Sequence, residues 1–412
     1  MIAVSEAHGL IEQALWRPEA ERVALQEASG RVLAEPLVAP FGQPRFTNSA
    51  MDGFAVRAAE LEGATAEAPV LLERRVVVGA GHPTSAALGP GECAQIMTGA
   101  PLPEGADAVV MVEQTSGFER TPVTFSRPAR AGQNVRREGE ELEAGTTVLA
   151  EGTCLGAAEL GVATSFGWTE ARVWRRPRVA LLCTGDELRS PGEPLGPGEI
   201  YDSNLTVLGE LLRVVGAEVV TAERVRDDRP ALETAFRRAS ERAEVVVSSG
   251  GVSMGQFDFV REVVVPLGFE QRFWKVAQKP GKPLLFAAGP GRAFFGLPGN
   301  PVSSLVCFLE YVWPALARLS GRPLGEKVSA RLVGTFPREG KLHRFLFGRV
   351  WVEREGLYAA ATPRHGSHML TAALGANALL EAGPGAQDLT DGEALRARLL
   401  PGAHVAGSAK GS

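Results

Sequence analysis

The residues best suited to chemistry fall at three apolar-run ends and in one lysine cluster. In EVVVSSGGVSMGQFDF (244–259) a β-branched run ends in Ser248, Ser249, Gly250 and Gly251. Glycines let backbone N–H groups approach a phosphate, and a following helix N-terminus favours an anion. Ser248, Ser249 and Ser253 add hydroxyl donors. Asp258 stands where the next helix should begin, as a metal ligand, as a base beside the anion, or as a helix cap. VALLCTGDEL (179–188) puts Thr184, Gly185, Asp186 and Glu187 just past its apolar run. Paired carboxylates at a strand end can hold Mg²⁺ together with substrate phosphates, although Gly-Asp-Glu also suits a solvated turn. AFFGLPGNPVSSLVCF (293–308) brackets Gly299-Asn300 with Pro298 and Pro301. Such a frozen turn either preorganises a site or caps a helix, with Asn300 as N-cap and Pro301 in the first turn.

The chain has 43 basic residues, of which six are Lys, and Lys275, Lys279 and Lys282 share one eight-residue window. Pro280 and Pro283 should hold this segment extended, presenting ammonium groups to an oxyanion on stiff backbone. Farther on, LHRFLFGR (342–349) and TPRHGSHML (362–370) bring Arg344, Arg364, His365, Ser367 and His368 into two short stretches suited to a second anion. His365 and His368 have metal-ligand spacing but no evident third ligand, so hydrogen-bonded or surface histidines are the simpler account. IYDSN reads as a helix cap through Asp202, Ser203 or Asn204.

Elements must position these groups. Over 177–324, apolar β-runs alternate with amphipathic stretches such as LTVLGELLRVVG (205–216) and LETAFRRASERA (232–243), the pattern of a parallel sheet covered by helices. Ligands of such sheets bind at the carboxyl ends of the strands, where the three turns lie. Residues 36–145 alternate short β-runs with Gly/Pro turns, predicting an inserted β-rich domain. It is flanked by a helical linker region in two pieces, 1–35 and 146–176. Within the first piece, residues 5–35 read as helical with Ser5 as N-cap. Short β-runs return over 325–412, predicting a small barrel-like β domain with a frayed tail.

Net charge is −5, from 43 Lys+Arg and 48 Asp+Glu, which argues against nucleic acid or an anionic membrane as the main partner. The four Cys are far apart and lack CxxC spacing, so neither zinc nor a disulfide framework is expected, and a reducing cytoplasm fits. No signal peptide is visible, and the apolar stretch 294–319 reads as core because prolines, Asn300 and Glu310 interrupt it.

Eight ordered strings carry a resemblance across residues 5–405: TNSAMDGFAV, IMTGAPLPEGADAVVMVE, GQNVRREGEEL, TGDEL, IYDSN, SSGGVSMGQFDF, KPGKP and FFGLPGNPVSS. In them the chain resembles the molybdopterin molybdenumtransferases of the MoeA type, whose module in animals is the E domain of gephyrin. The resemblance implies an elongated four-domain protomer and a homodimer in which each site is completed by the β-rich domain of the second subunit. The implied reaction is the Mg²⁺-dependent insertion of molybdate into adenylylated molybdopterin with release of AMP. It also implies roles by motif. Asp258 and Glu187 would serve the metal and the pyrophosphate, with Asp186 as a further metal ligand. Asp227 would be another acidic catalytic residue, with Asp228 next to it and easily confused with it. Ser249, Gly250, Gly251 and Ser253 would cradle the pterin phosphate, and Pro298, Asn300 and Pro301 would shape the adjoining loop. Lys275 and Lys279 would neutralise substrate charge. Lys282, Arg344 and Ser367 would bind molybdate, and Asp52 and Thr98 would reach in from the other subunit. Molybdopterin adenylyltransferase and molybdoenzyme apoproteins are the implied further partners. Phe54, Cys183, Met254 and Gln278 depart from the family's usual Tyr, Ser, Val and Met. Three alternatives stay open: a molybdopterin adenylyltransferase, a scaffold, and a molybdate or pterin store.

Overall fold

The computed structural model describes residues 1–251, 259–405 and 407. The chain divides into two compact units. One comprises Met1–Ala34, Cys154–Gly156 and Glu170–Ser412; the other comprises Glu35–Thr153 and Ala157–Thr169.

The larger unit is built on a six-stranded sheet. Its elements in chain order are β1 (Arg178–Thr184), α1 (Ser203–Val214), β2 (Glu218–Val225), α2 (Arg229–Arg242), β3 (Val245–Ser249), α3 (Val260–Val264), β4 (Glu270–Trp274), the two-residue β5 (Gln278–Lys279), β6 (Leu285–Gly289), β7 (Arg292–Leu297) and α4 (Pro301–Leu319). The spatial order is β2-β1-β3-β7-β6-β4. Strands β2, β1, β3 and β7 are parallel, and the apolar runs of the inner three, β1, β3 and β7, are buried on both faces, while edge strand β2 is buried only at Val225. The sheet is not parallel throughout: β6 and β4 pair antiparallel at one edge. No helix separates β6 from β7; a tight turn through Gly291 (φ +65°) joins them, which only antiparallel neighbours permit. Helix α4 is long and apolar enough to cross a membrane, yet 83% of it is buried inside the protein.

The chain leaves β1 toward β2, then returns to β3 on the other side. The carboxyl ends of β1 and β3 therefore flank a reversal of strand order, where a crevice opens in such sheets. Asp202 caps α1 by accepting from Leu205 N at 2.9 Å. Asp228 caps α2 by accepting from Ala231 N at 2.9 Å.

Five strands close into a barrel: β8 (Val328–Leu332), β9 (His343–Glu353), β10 (Gly356–Ala361), β11 (Ala378–Ala382) and β12 (Ala394–Leu399). Phe336, Leu346, Val350 and Leu380 fill its core. Strand β5 adds to it in parallel, Gln278 opposite His343 and Lys279 opposite Arg344.

The helix expected over 5–35 is shorter. It runs Val4–Ala14, and Ala20–Ala24 is instead a strand paired with Glu170–Trp174. The break follows Leu15-Trp16-Arg17-Pro18, where the proline disfavours helix in the residue before it. Ser5 lies inside the helix; the N-cap position is Ala3, without a side-chain bond.

The smaller unit carries a five-stranded mixed sheet, with Gly53–Val56 between Ala108–Met111 and Glu92–Ile96, then Val70–Val78 and Val123–Phe125. Phe54 is fully buried, its ring 5.5 Å from that of Phe118 and 6.0 Å from that of Phe125. A hydroxyl at that position would need a partner these rings cannot supply, which accounts for Phe over Tyr. Helix Ala157–Ser165 also belongs to this unit.

Candidate functional site

A cavity of about 540 Å³ opens at the carboxyl ends of β1, β3 and β7. The three turns singled out by sequence meet in it: Thr184 and Glu187 after β1, Ser249, Gly250 and Gly251 after β3, and Pro298, Gly299, Asn300 and Pro301 after β7. The first residues of α1 and α4 also line it, so two helix N-termini open on one space, an arrangement that favours bound anions.

Glycine is required on its floor. Gly250 has φ +98°, and a Cβ there would strike the Thr184 carbonyl oxygen and lie 2.7 Å from Thr184 Oγ1. Gly251 has φ +65°, and its Cβ would lie 2.8 Å from a methyl of Val260. The Ser249 hydroxyl is taken up by the protein. It donates toward Pro298 O at 3.1 Å, lies 3.0 Å from Ser304 Oγ and accepts from Asn204 Nδ2 at 2.9 Å. Asn204 also donates to Gly299 O at 2.7 Å, so one amide ties the β3 and β7 turns together. Of the three cap candidates in IYDSN, Asp202 fills the role, which leaves Asn204 free for this tie. A polar residue left over beside an already sufficient cap was the available signal.

Carboxylates gather on one wall. Glu187, Asp202 and Asp227 line the cavity, and Asp186 Oδ1 accepts from Asp227 N at 3.3 Å. Asp202 Oδ2 and Thr184 Oγ1 are buried without a hydrogen-bond partner. Such oxygen-rich, undersatisfied surroundings fit a hard cation that takes one or two carboxylates and completes its shell with water and phosphate. Among the described residues no three His, Cys, Asp or Glu side chains form a metal cage. Asp258 and Ser253 lie outside the described residues. Helix α3 is described from Val260. Cys183 is buried at the cavity's edge; burial, then the Asp202 carboxylate, pushes its thiol well up, so it is a neutral wall rather than a nucleophile.

The lysine segment lies beside the cavity, which Pro283 helps line, while Lys275, Lys279 and Lys282 do not. It is not simply extended: Lys275 (φ +73°) and Gly281 (φ +86°) turn it, and Val276 N donates to Lys282 O at 3.0 Å across the loop. Lys275 Nζ sits 3.8 Å from the Trp274 ring centroid. Lys279 pairs with Glu339, whereas Lys282 is exposed with no ion-pair partner among the described residues. Arg344, opposite Lys279 in the ladder, is buried, and burial holds its guanidinium below the usual value. His365 is lowered by burial and then by the Arg344 charge, so a neutral imidazole faces the guanidinium. Ser367 Oγ accepts from Asn300 Nδ2 at 3.3 Å, joining the barrel-side stretch to the β7 turn, and His368 lines the cavity. Asn300 therefore occupies the N-cap position of α4 while its side chain serves Ser367 instead.

Asp52 and Thr98 belong to the smaller unit. Asp52 Oδ1 accepts from Thr98 N at 2.6 Å and from Thr98 Oγ1 at 2.7 Å; the backbone bond and then the hydroxyl hold its carboxyl below the usual range.

Known proteins resemble the chain along most of its length. Residues 2–167 match the MoeA N-terminal region (domain I and II), 180–318 the probable molybdopterin binding domain, and 329–400 the MoeA C-terminal region (domain IV). A molybdopterin molybdenumtransferase of Haemophilus influenzae is 39% identical over 79% of this chain and 80% of its own. One of Bacillus subtilis is 33% identical over 93% and 90%. The solved structure of a molybdopterin biosynthesis MoeA protein from Pyrococcus horikoshii superposes with a TM-score of 0.84 at 32% identity, covering 98% of this chain and 100% of that one.

Proposed function

The chain belongs to the MoeA family of molybdopterin molybdenumtransferases, enzymes of molybdenum cofactor biosynthesis, and from that premise we propose its particular reaction: insertion of molybdate into adenylylated molybdopterin, with Mg²⁺, releasing AMP. The supporting observation is the cavity where three strand-end turns, two helix N-termini and a carboxylate wall converge beside a cationic segment.

The substrates are anionic at both ends of the reaction. The phosphate-bearing substrate lies against Gly250 and Gly251, whose missing side chains leave room for close approach, and at the N-termini of α1 and α4, where the backbone dipoles favour negative charge. Molybdate, a tetrahedral dianion, is taken by Lys282, Arg344 and Ser367, with Lys279 and Lys275 lowering the local potential. The buried Arg344 is suited to this role, because a cation held out of water gains most from an anionic partner. Glu187 and Asp227, with Asp186 and Asp258 beside them, would hold magnesium. Magnesium would supply charge neutralisation at the pyrophosphate and a better leaving AMP. Asn204 keeps the β3 and β7 turns in register, so phosphate-side and molybdate-side groups stay at fixed separation. The protein acts as a cytoplasmic homodimer, Asp52 and Thr98 of a second copy completing each site.

AMP release from adenylylated molybdopterin tests this, measured with and without molybdate and Mg²⁺ for the wild type and for Asp258→Asn. Molybdate-dependent release that the substitution abolishes supports the transferase. No release from a folded protein supplied with both ions sinks it.

A further inference from the structure

We propose that Gln278 is the positioning residue of the oxyanion pocket: its buried carboxamide holds the turn bearing Lys279 and Lys282 in place against α4, while its backbone ties the same segment to the barrel strand that carries Arg344. The inference rests on the molybdate reading of that pocket and adds the group that sets its geometry.

Gln278 is fully buried, which is costly for an amide unless every polar atom is used. Here both ends are. Nε2 donates to Gly281 O at 3.0 Å, with Cys307 Sγ 3.5 Å away, and Oε1 accepts from the Tyr311 hydroxyl. Cys307 Sγ lies 3.5 Å from the same Gly281 oxygen. Tyr311 is itself fully buried, in the π-helical turn Phe308–Val312 of α4. Gly281 sits between the two lysines with φ +86°, and a Cβ there would meet Cys307 Sγ at 2.6 Å and Gln278 Nε2 at 2.8 Å. The backbone of Gln278 meanwhile pairs with His343, one residue before Arg344.

One residue thus contacts three parts that must agree in position. Its side chain pins the lysine turn to α4, whose N-terminus opens on the cavity, and its backbone pins the same segment to β9. Gln278 touches no group assigned to the chemistry, so its effect passes through the residues it holds. Apolar side chains fill such a position without linking Tyr311 to Gly281; the carboxamide links them by directed bonds, and these fix orientation as well as distance.

Steady-state kinetics of Gln278→Ala and Tyr311→Phe, with thermal midpoints alongside, test the role. A positioning role raises KM for molybdate about tenfold in Gln278→Ala and less in Tyr311→Phe, with kcat and the KM for adenylylated molybdopterin within about twofold of wild type. The double variant is then no worse than Gln278→Ala alone. Unchanged molybdate KM in a folded variant, or kcat and both KM values moving together, overturns the role. Should Gln278→Ala not fold, Tyr311→Phe decides by the same criteria. Calorimetry with molybdate alone separates the two layers. If the wild type does not bind it, or Lys282→Ala binds it equally well, the pocket fails and Gln278 with it. If the wild type binds, Lys282→Ala does not, and Gln278→Ala matches wild type, only the role of Gln278 fails.

Discussion

Asp227 and Asp228 are adjacent in the chain and serve different structures. Asp228 Oδ1 accepts from Ala231 N at 2.9 Å and starts helix α2, while Asp227 lines the cavity beside Glu187. Asp228→Ala should cost about 1 kcal/mol in urea unfolding and leave turnover intact. Asp227→Asn should keep stability and slow single-turnover AMP release roughly a hundredfold, the scale for a group acting at the reacting centre. Reversed assignments would show the opposite split between the two assays.

The buried ion network beneath the barrel governs acid stability. Lys327 Nζ pairs with Glu310 at 2.6 Å and also with Glu381; Glu310 further accepts from His8 at 2.9 Å. Burial alone would raise the Glu381 carboxyl, but His343 and Lys327 outweigh it and hold the group at about 2. A depressed carboxyl stabilises the fold above its unfolded value of 4.5, and that share is lost as pH falls from there toward about 2. The share is roughly 3 kcal/mol. Lys327→Met should move the acid-unfolding midpoint upward and, at pH 7, cost somewhat less than the loss of about 3–5 kcal/mol expected for an uncompensated buried charge, because two buried carboxylates lose their shared cation while Arg398 stays near Glu310 and His343 and Arg396 near Glu381. An acid midpoint that stays put would remove the network from this role.

Thiol reactivity should be confined to one cysteine. Burial pushes the Cys93 thiol to about 12 and those of Cys183 and Cys307 well up, whereas Cys154 is exposed. A thiol reagent at pH 8 should therefore modify Cys154 rapidly in the native protein and all four after denaturation. Fast native modification of Cys183 would mean that the cavity wall opens.

Thr98→Ala should loosen the Asp52 carboxyl only in part. The hydroxyl bond is lost but the backbone N–H of residue 98, the larger cause, remains, so in the variant the group should move part of the way back toward its ordinary 3.8, read by carboxyl carbon NMR. If these residues complete the site of a second copy, AMP release should fall in Thr98→Ala without loss of stability.

The strand ends were legible because each turn is written in local terms: an apolar run, then Gly, Ser or Pro, then a helix start. Their convergence followed from parallel topology alone. Side-chain commitments were not legible. Ser249 reads as a phosphate donor, but its hydroxyl is consumed by Ser304, Pro298 and Asn204, residues 45–55 positions away. The antiparallel edge was hidden for a similar reason: LLFAAG has the apolar content of an inner strand, and the polar Glu270, Gln271 and Arg272 of FEQRFW mark an edge without giving its direction, so only the missing helix between β6 and β7 tells otherwise. Ser5 looked like a cap because caps are recognised by residue type, while the actual boundary is set by where Ile2 bridges to Val276.

The two-residue ladder between β5 and β9 joins segments 65 positions apart, Gln278 to His343. Such a pairing is a late event: the entropy of closing that loop must be overcome before the lysines and Arg344 can share a ligand. A nascent chain released before the barrel closes would carry the lysine segment and its adjoining crevice without the arginine opposite. Oxyanion capture is therefore a read-out of completed folding, and the amide of His343, which donates to Ala277 O at 2.8 Å across the ladder, should exchange with solvent at the rate of the barrel, not of the sheet from which the lysine segment departs.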